Sequence, residues 1–384
     1  MPTLDDLLAR TQEVVQGAVA PRADAVDRKA AWPRESLRAL QDAGLGGLVV
    51  PVECGGLGQG LVGLCRVCEV IGHACSATAL CFGMHGVASA VIAARATRDQ
   101  QQRYLEPIAL GEHLTTLALS EPGTGAHFYF PQSRLDNHSE DSFRVTGTKS
   151  FVTNGGYADS YVVSTTAADP AAPPDQFSCV VIPGDAPGLA WGPPWQGIGM
   201  RGNSSRTVDI QDVVIPRGNL LGEQGDQLWY VFEVVAPYFL MAMAGTYLGI
   251  ADAAFNEALD HLRTRRHSHS GTSLAQQPVI QYQIGQLWAE IEQVRQLVYA
   301  AARAAEAGDP NATLMVLSAK AQVADMVVKA VNEALMLCGG AGYAAGARLE
   351  RCLRDAQAAP VMSPTTNLLR LWTGRQLLDV PLLG

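Results

Sequence analysis

Apolar and polar positions along the chain change their period twice. Up to about residue 115 the spacing is helical. Pro33 opens a run Arg-Glu-Ser-Leu-Arg-Ala-Leu that Ala43-Gly44 closes, which places proline at a helix start and glycine just past its end. Leu64–Ile71 and Ala77–Ala94 read as buried helices, and Thr97 is a candidate cap for a short amphipathic helix after them. Between about 116 and 225 the pattern turns to short β-branched runs. Phe143 to Thr153 predicts a hairpin with Thr146-Gly147 at its turn, and Ser160–Thr166, Phe177–Pro183 and Thr207–Pro216 predict further strands. Residues 167–174, rich in Ala and Pro, predict a surface loop. From about 226 the helical period returns in Ala251–Arg266, Gln281–Ala305 and Ala312–Leu337, with Gly308-Asp309-Pro310-Asn311 breaking the last two apart. A strand block set between two helical blocks predicts an α+β chain, mainly α: an N-terminal helical domain (1–115), a central β domain (116–225) and a C-terminal four-helix bundle (226–384).

Composition narrows the partners. The 384 residues are 48% hydrophobic and 17% charged, enough for a large core and unlike a disordered chain. A net charge of −9 gives no footprint for nucleic acid. The N-terminus lacks a basic segment followed by an apolar run, and no stretch reaches eighteen uninterrupted apolar residues, Val234–Ala244 coming nearest. We therefore expect a cytoplasmic protein with no membrane or nucleic-acid partner. The eight cysteines include one CxxC pair, Cys65 and Cys68, within a helical run and with no second pair, so buried free thiols are expected and no metal. Gly58-Gln-Gly60-Leu-Val-Gly63 matches a dinucleotide fingerprint literally, but no acidic residue follows about twenty positions later and no βαβ unit surrounds it. It reads better as part of a glycine turn, Gly55–Gly58.

Several short motifs occur in order across the chain. Leu119-Ser120-Glu121-Pro122-Gly123-Thr124-Gly125 is followed by Gly147-Thr-Lys149-Ser-Phe151-Val-Thr153-Asn154, then by Gly199-Met-Arg201 with Asp212-Val-Val-Ile-Pro216. Near the C-terminus stand Cys338-Gly339-Gly340-Ala-Gly-Tyr343, Leu349-Glu350-Arg351, Arg354-Asp355-Ala356 and Ser363-Pro364-Thr365-Thr366-Asn367. Together they resemble the acyl-CoA dehydrogenase family. The resemblance implies FAD lying across the β domain and the C-terminal bundle, with help from a neighbouring subunit, hence a homodimer or homotetramer. By the same likeness, Leu119, Ser120, Gly125 and Ala126 would meet the flavin edge, Phe151 would stand where tryptophan is usual against the ring, and Thr153 would lie near N5. Gly339, Gly340, Thr365 and Asn367 would hold the phosphate or adenosine end. A family arginine falls on Arg265, its companion phenylalanine on Ser268 or Leu274. Glu350, Arg354 and Asp355 are expected as structural ion pairs.

One departure bears on the reaction. The family's glutamate, which removes the substrate α-proton, falls on Ser363. Its alternative place on the helix across the pocket falls on Phe239. A serine hydroxyl is no base without activation, and Ser363-Pro364 reads as the N-cap and first residue of the last helix. Glu233, Tyr238 and His127 are the substitute bases to consider. The resemblance implies α,β-desaturation of an acyl thioester, on CoA or a carrier protein, with a relocated base and an electron-transfer flavoprotein as acceptor. The alternatives are oxygen-dependent flavin chemistry served by a flavin reductase, and a non-catalytic binding or assembly partner.

Overall fold

The computed structural model describes residues 2–169, 171–173 and 175–383. Pro170 and Pro174 of the expected loop lie outside them; the loop's other residues belong to no strand or helix. The N-terminal helices that frame the interior are α1 (Leu4–Val14), α2 (Arg34–Asp42), α3 (Leu61–Ala74) and α4 (Ser76–Ala94). Thr3 caps α1 through a reciprocal bond pair with Asp6, and Gly44 takes φ +74° where α2 ends. Gly60 is the N-cap of α3 and Leu48–Val50 form no strand, so the glycine run is a turn into a helix rather than a nucleotide loop.

The strands form two four-stranded sheets. One has the order β1 (Thr115–Ala118), β4 (Ser160–Thr166), β5 (Phe177–Pro183), β8 (Leu220–Leu221), with β1 and β4 parallel. The other runs β2 (Arg134–Asn137), β3 (Ser142–Val152), β7 (Arg206–Pro216), β6 (Leu189–Trp191), all antiparallel. The expected hairpin within 143–153 is therefore corrected: β3 passes straight through Thr146-Gly147, pairing with β2 on one side and β7 on the other. Gly147 marks a register shift instead of a turn. A Cβ there would lie 2.2 Å from Ser133 Oγ, so the missing side chain admits a close neighbour.

Four long elements complete the fold: α5 (Ala236–Thr264), α6 (Pro278–Glu306), α7 (Ala312–Cys338) and, after the shorter α8 (Arg348–Ala356), α9 (Thr366–Leu377). Close approach joins α5 to α3, since a Cβ on Gly245 would sit 2.0 Å from the Cys65 carbonyl oxygen. Two helical stretches, Ser76–Ala94 and Gln227–Thr264, have the length and mean hydropathy of a membrane span although polar residues interrupt them. Of an apolar 18-residue window in each, 89% and 83% are buried inside the fold, as in core helices. All eight cysteines are buried and free, and no group of metal-ligating side chains occurs among the described residues.

Candidate active site

A cavity of about 790 Å³ opens between the β domain, the start of α5 and the segment 358–365 ahead of α9. Each wall has its own cause. The chain leaving β1 supplies Leu119 to Ala126, and its backbone is fixed where Ser150 N–H donates to the Ser120 carbonyl at 2.8 Å. β3 ends at the cavity with Ser150 and Phe151, followed by Thr153; Phe151 and Asn154 both take positive φ, turning the chain out of the sheet. Asn154 holds that turn, accepting from Trp32 Nε1 at 2.9 Å and donating to the Cys81 carbonyl at 3.0 Å. The floor is Gly199-Met200. Asp355 of α8 accepts the Met200 N–H at 2.6 Å and the Ser76 hydroxyl, which pins the β domain to the helices. Burial pushes the Asp355 carboxyl up. Glu350 and Arg354 do form the expected ion pairs, with Asp27 as the further partner, whereas Asp355 works through hydrogen bonds.

Of the residues singled out from the sequence, Leu119, Ser120, Gly125, Ala126, Phe151, Thr153 and Thr365 line this one cavity, as do both base positions, Phe239 and Ser363. Arg265, Gly339, Gly340 and Asn367 do not: all four are exposed at helix ends or on α9, away from the cavity of their own chain. A Cβ at Gly339 or Gly340 would meet nothing within 4 Å, but Gly339 takes φ +56° where α7 ends and its N–H donates to the Leu335 carbonyl, so the helix end itself accounts for that glycine. Ser363 does not cap α9 either. Thr365 is the cap, its hydroxyl accepting from Leu368 N–H at 3.3 Å, while Ser363 Oγ points across the cavity edge and donates to the Ala126 carbonyl at 3.3 Å. Pro364 precedes the cap and so cannot be the first helical residue.

The substitute bases fall away as well. Glu233 is exposed, His127 is exposed with Nδ1 2.6 Å from the Tyr129 hydroxyl, and Tyr238 is absent from the lining, its phenol pushed up by burial. Among the described residues that line the cavity, the sole ionisable side chain is Glu121. Its carboxylate accepts from Lys149 Nζ at 2.5 Å, from Ser133 N–H and Oγ–H at 3.0 and 2.8 Å, and from Gln132 N–H at 2.7 Å. Burial raises its proton affinity, but Lys149 and these bonds outweigh that and hold the carboxyl below its ordinary value. Burial pushes Lys149 down to about 8, with Glu121 acting against it. Glu121 is therefore locked as half of a buried ion pair and is not free to take up a proton.

The cavity suits a flat ring system with a polar edge. Trp195 stands beside Phe151, ring centroids 6.0 Å apart at 77°, so two aromatic rings edge one side. Ser120 Oγ makes no hydrogen bond among the described residues, and Thr153 Oγ1 lies 3.3 Å from Ser205 Oγ. Sequence reading missed Trp195, Asn203 and Ser205; an indole four residues before Gly199-x-Arg201 was the available signal for the first.

Comparison with known proteins agrees with this architecture. Residues 2–112, 116–213 and 237–378 match the family descriptions "Acyl-CoA dehydrogenase, N-terminal domain", "middle domain" and "C-terminal domain". The probable acyl-CoA dehydrogenase YngJ of Bacillus subtilis is 28% identical over 364 residues, 94% of each chain. Cyclohex-1-ene-1-carbonyl-CoA dehydrogenase of Syntrophus aciditrophicus is 29% identical over 97% of this chain and 89% of its own length. The solved glutaryl-coenzyme A dehydrogenase, in complex with glutaryl-CoA, superposes with a TM-score of 0.90 at 25% identity, covering 98% of this chain and 95% of that one. This chain therefore belongs to the acyl-CoA dehydrogenase family and is an FAD-dependent oxidoreductase.

Proposed function

We propose that the protein oxidises an acyl group carried as a thioester, on CoA or on a carrier protein, within the cavity between Phe239 and Ser363. The observation behind this reading is the cavity itself, where seven of the FAD positions implied by family resemblance share a lining with the apolar Leu80, Met84, Phe128, Val235 and Phe239. FAD, when bound, supplies the acceptor for a hydride. Ser120, Thr153 and the backbone of Leu119 would meet its ring edge, Phe151 and Trp195 its face, and Thr365 its far end. The chain's own residues then do three things: they exclude water with the apolar end, orient the acyl chain along it, and leave Glu121 tied to Lys149.

Ser363 Oγ, its proton engaged by the Ala126 carbonyl, can accept a hydrogen bond but cannot store a proton at neutral pH. Desaturation here thus takes its proton acceptor from beyond the described cavity wall: the substrate's carrier or a second copy of the chain. Arg265, Gly340 and Asn367 fit service to such a second copy, because they are exposed and away from the cavity of their own chain. The exposed Val279 and Tyr282, one turn apart on α6, and Trp288 further along it offer apolar surface for the same association.

The locked Glu121 favours one second reading, oxygen-dependent chemistry on reduced flavin, which needs no α-carboxylate. Anaerobic titration of the FAD-loaded protein with saturated acyl thioesters separates the two. Bleaching of the flavin absorbance with formation of the enoyl product supports desaturation, with electrons then passing to an electron-transfer flavoprotein. Reduction solely by an external flavin reductase, followed by oxygen-dependent product, replaces it with the second reading.

A further inference from the structure

The segment that carries Ser363 is held in place by a buried cation. Lys320, in the third turn of α7, is 0% exposed, and its ammonium donates to three backbone carbonyls: Ala359 at 2.8 Å, Pro364 at 3.2 Å and Met362 at 3.4 Å. Those bonds use all three of its donors. No carboxylate pairs with it among the described residues, unlike Lys149. A buried ammonium without a counter-charge is costly, so its retention needs a reason that an apolar side chain of the same length would not satisfy. Burial accordingly pushes it down to about 8.

What Lys320 touches is informative. The three carbonyls span Ala359–Pro364, and the cavity wall includes Val361, Met362, Ser363 and Pro364 from that span. This stretch belongs to neither long helix beside it: a four-residue helix ends at Val361 and α9 begins at Thr366. Its side-chain anchors are slight, a 3.7 Å contact from the Tyr247 hydroxyl to Met362 Sδ and the 3.3 Å bond from Ser363 to Ala126. We infer that Lys320 is a positioning residue, whose ammonium gathers the carbonyls of residues 359–364 and so sets the shape of the cavity wall. It acts through the backbone, independently of which side chain stands at 363. The assignment rests on the cavity being the FAD and acyl site, but its test does not require any acyl thioester to react.

Hydrogen–deuterium exchange of the FAD-loaded protein tests it, together with FAD affinity measured by flavin fluorescence. Lys320→Met removes the ammonium and keeps the length. Val327→Ala, two turns along α7, buried and absent from the cavity lining, loosens the same helix. With Lys320→Met, exchange in a peptide covering 358–365 should accelerate about tenfold or more, and FAD binding should weaken roughly tenfold, the loss of one or two hydrogen bonds from a charged donor. Val327→Ala should do neither. If Lys320→Met fails to fold, Lys320→Gln, which keeps N–H donors, should fold with intermediate values. Equal exchange in the wall peptide for Lys320→Met and Val327→Ala, or unchanged exchange and affinity in the foldable variant, overturns the assignment. Failure of thioesters to bleach the flavin would count against the proposed reaction and leave this result standing.

Discussion

At the scale of single residues, the position where resemblance puts the family carboxylate carries a hydroxyl. Ser363 stands on the cavity wall, within reach of the Ala126 carbonyl, and Phe239 closes the opposite side. Ser363→Glu restores a carboxylate at the wall, where an apolar surround raises its proton affinity toward that of a working base. We expect anaerobic flavin reduction by a saturated acyl thioester to accelerate about a hundredfold, the lower range for general base catalysis. Stopped-flow absorbance reads this directly. No acceleration in a folded, FAD-loaded variant would mean that the substrate α-carbon is not presented to position 363, and would favour the oxygen-dependent reading.

At the scale of elements, periodicity read the helices well because apolar stripes and caps are local features. Thr97 forms the predicted cap, with Gln100 completing the pair, and Gly308 breaks α6 from α7. The strands were legible as β-rich runs, but β3 was misread at Thr146-Gly147. Glycine in a hairpin turn and glycine at a bulge look alike until the partner strand is known, and here Ser133 is the deciding neighbour. The C-terminal wall failed for a similar reason. Ser-Pro-Thr-Thr offers two caps, and only the tertiary pull on Ser363 from Ala126 and on residues 359–364 from Lys320 selects Thr365. Thr365→Ala should therefore cost about 1 kcal/mol in urea unfolding and Ser363→Ala at most a few tenths, as befits a cap and a non-cap. The reverse order would restore Ser363 as the cap. The contacts that make a site from these elements, such as Asp355 to Met200, join positions far apart in the chain and leave no trace in any short window.

The whole molecule carries many ionisable groups in a dry interior, and their signs decide how it responds to alkali. All eight thiols are displaced upward by burial; Cys338 stands at about 11 and Cys179 and Cys352 at about 12, against an ordinary value of 9.0. A group whose proton is held more tightly in the folded state contributes stability that is complete below its unfolded value and is lost as pH climbs through the folded one. Lys149 and Lys320, both near 8 when folded, act oppositely between 8 and 10.5, but they are two groups against eight. The urea midpoint should hold up to about pH 9 and fall steadily from there toward 11. A midpoint that rises across that interval would contradict the burial of the thiols. Association is testable on the same scale. Light scattering should give a dimer or tetramer, and Tyr282→Asp with Trp288→Asp should shift it toward monomer and, if the exposed Arg265 and Gly340 serve the second copy as proposed, weaken FAD binding. Monomeric wild-type protein would remove that part of the proposal.

The bond from Lys320 to main-chain oxygens has an evolutionary consequence. If the wall is shaped through its carbonyls, the side chain at 363 adds only its one hydrogen bond to Ala126, and position 363 is lightly constrained by folding. Lineages built on this scaffold can exchange the side chain there, and with it the reaction, while inheriting the same pocket. A serine can then stand where the resemblance puts a glutamate without a different course of the wall.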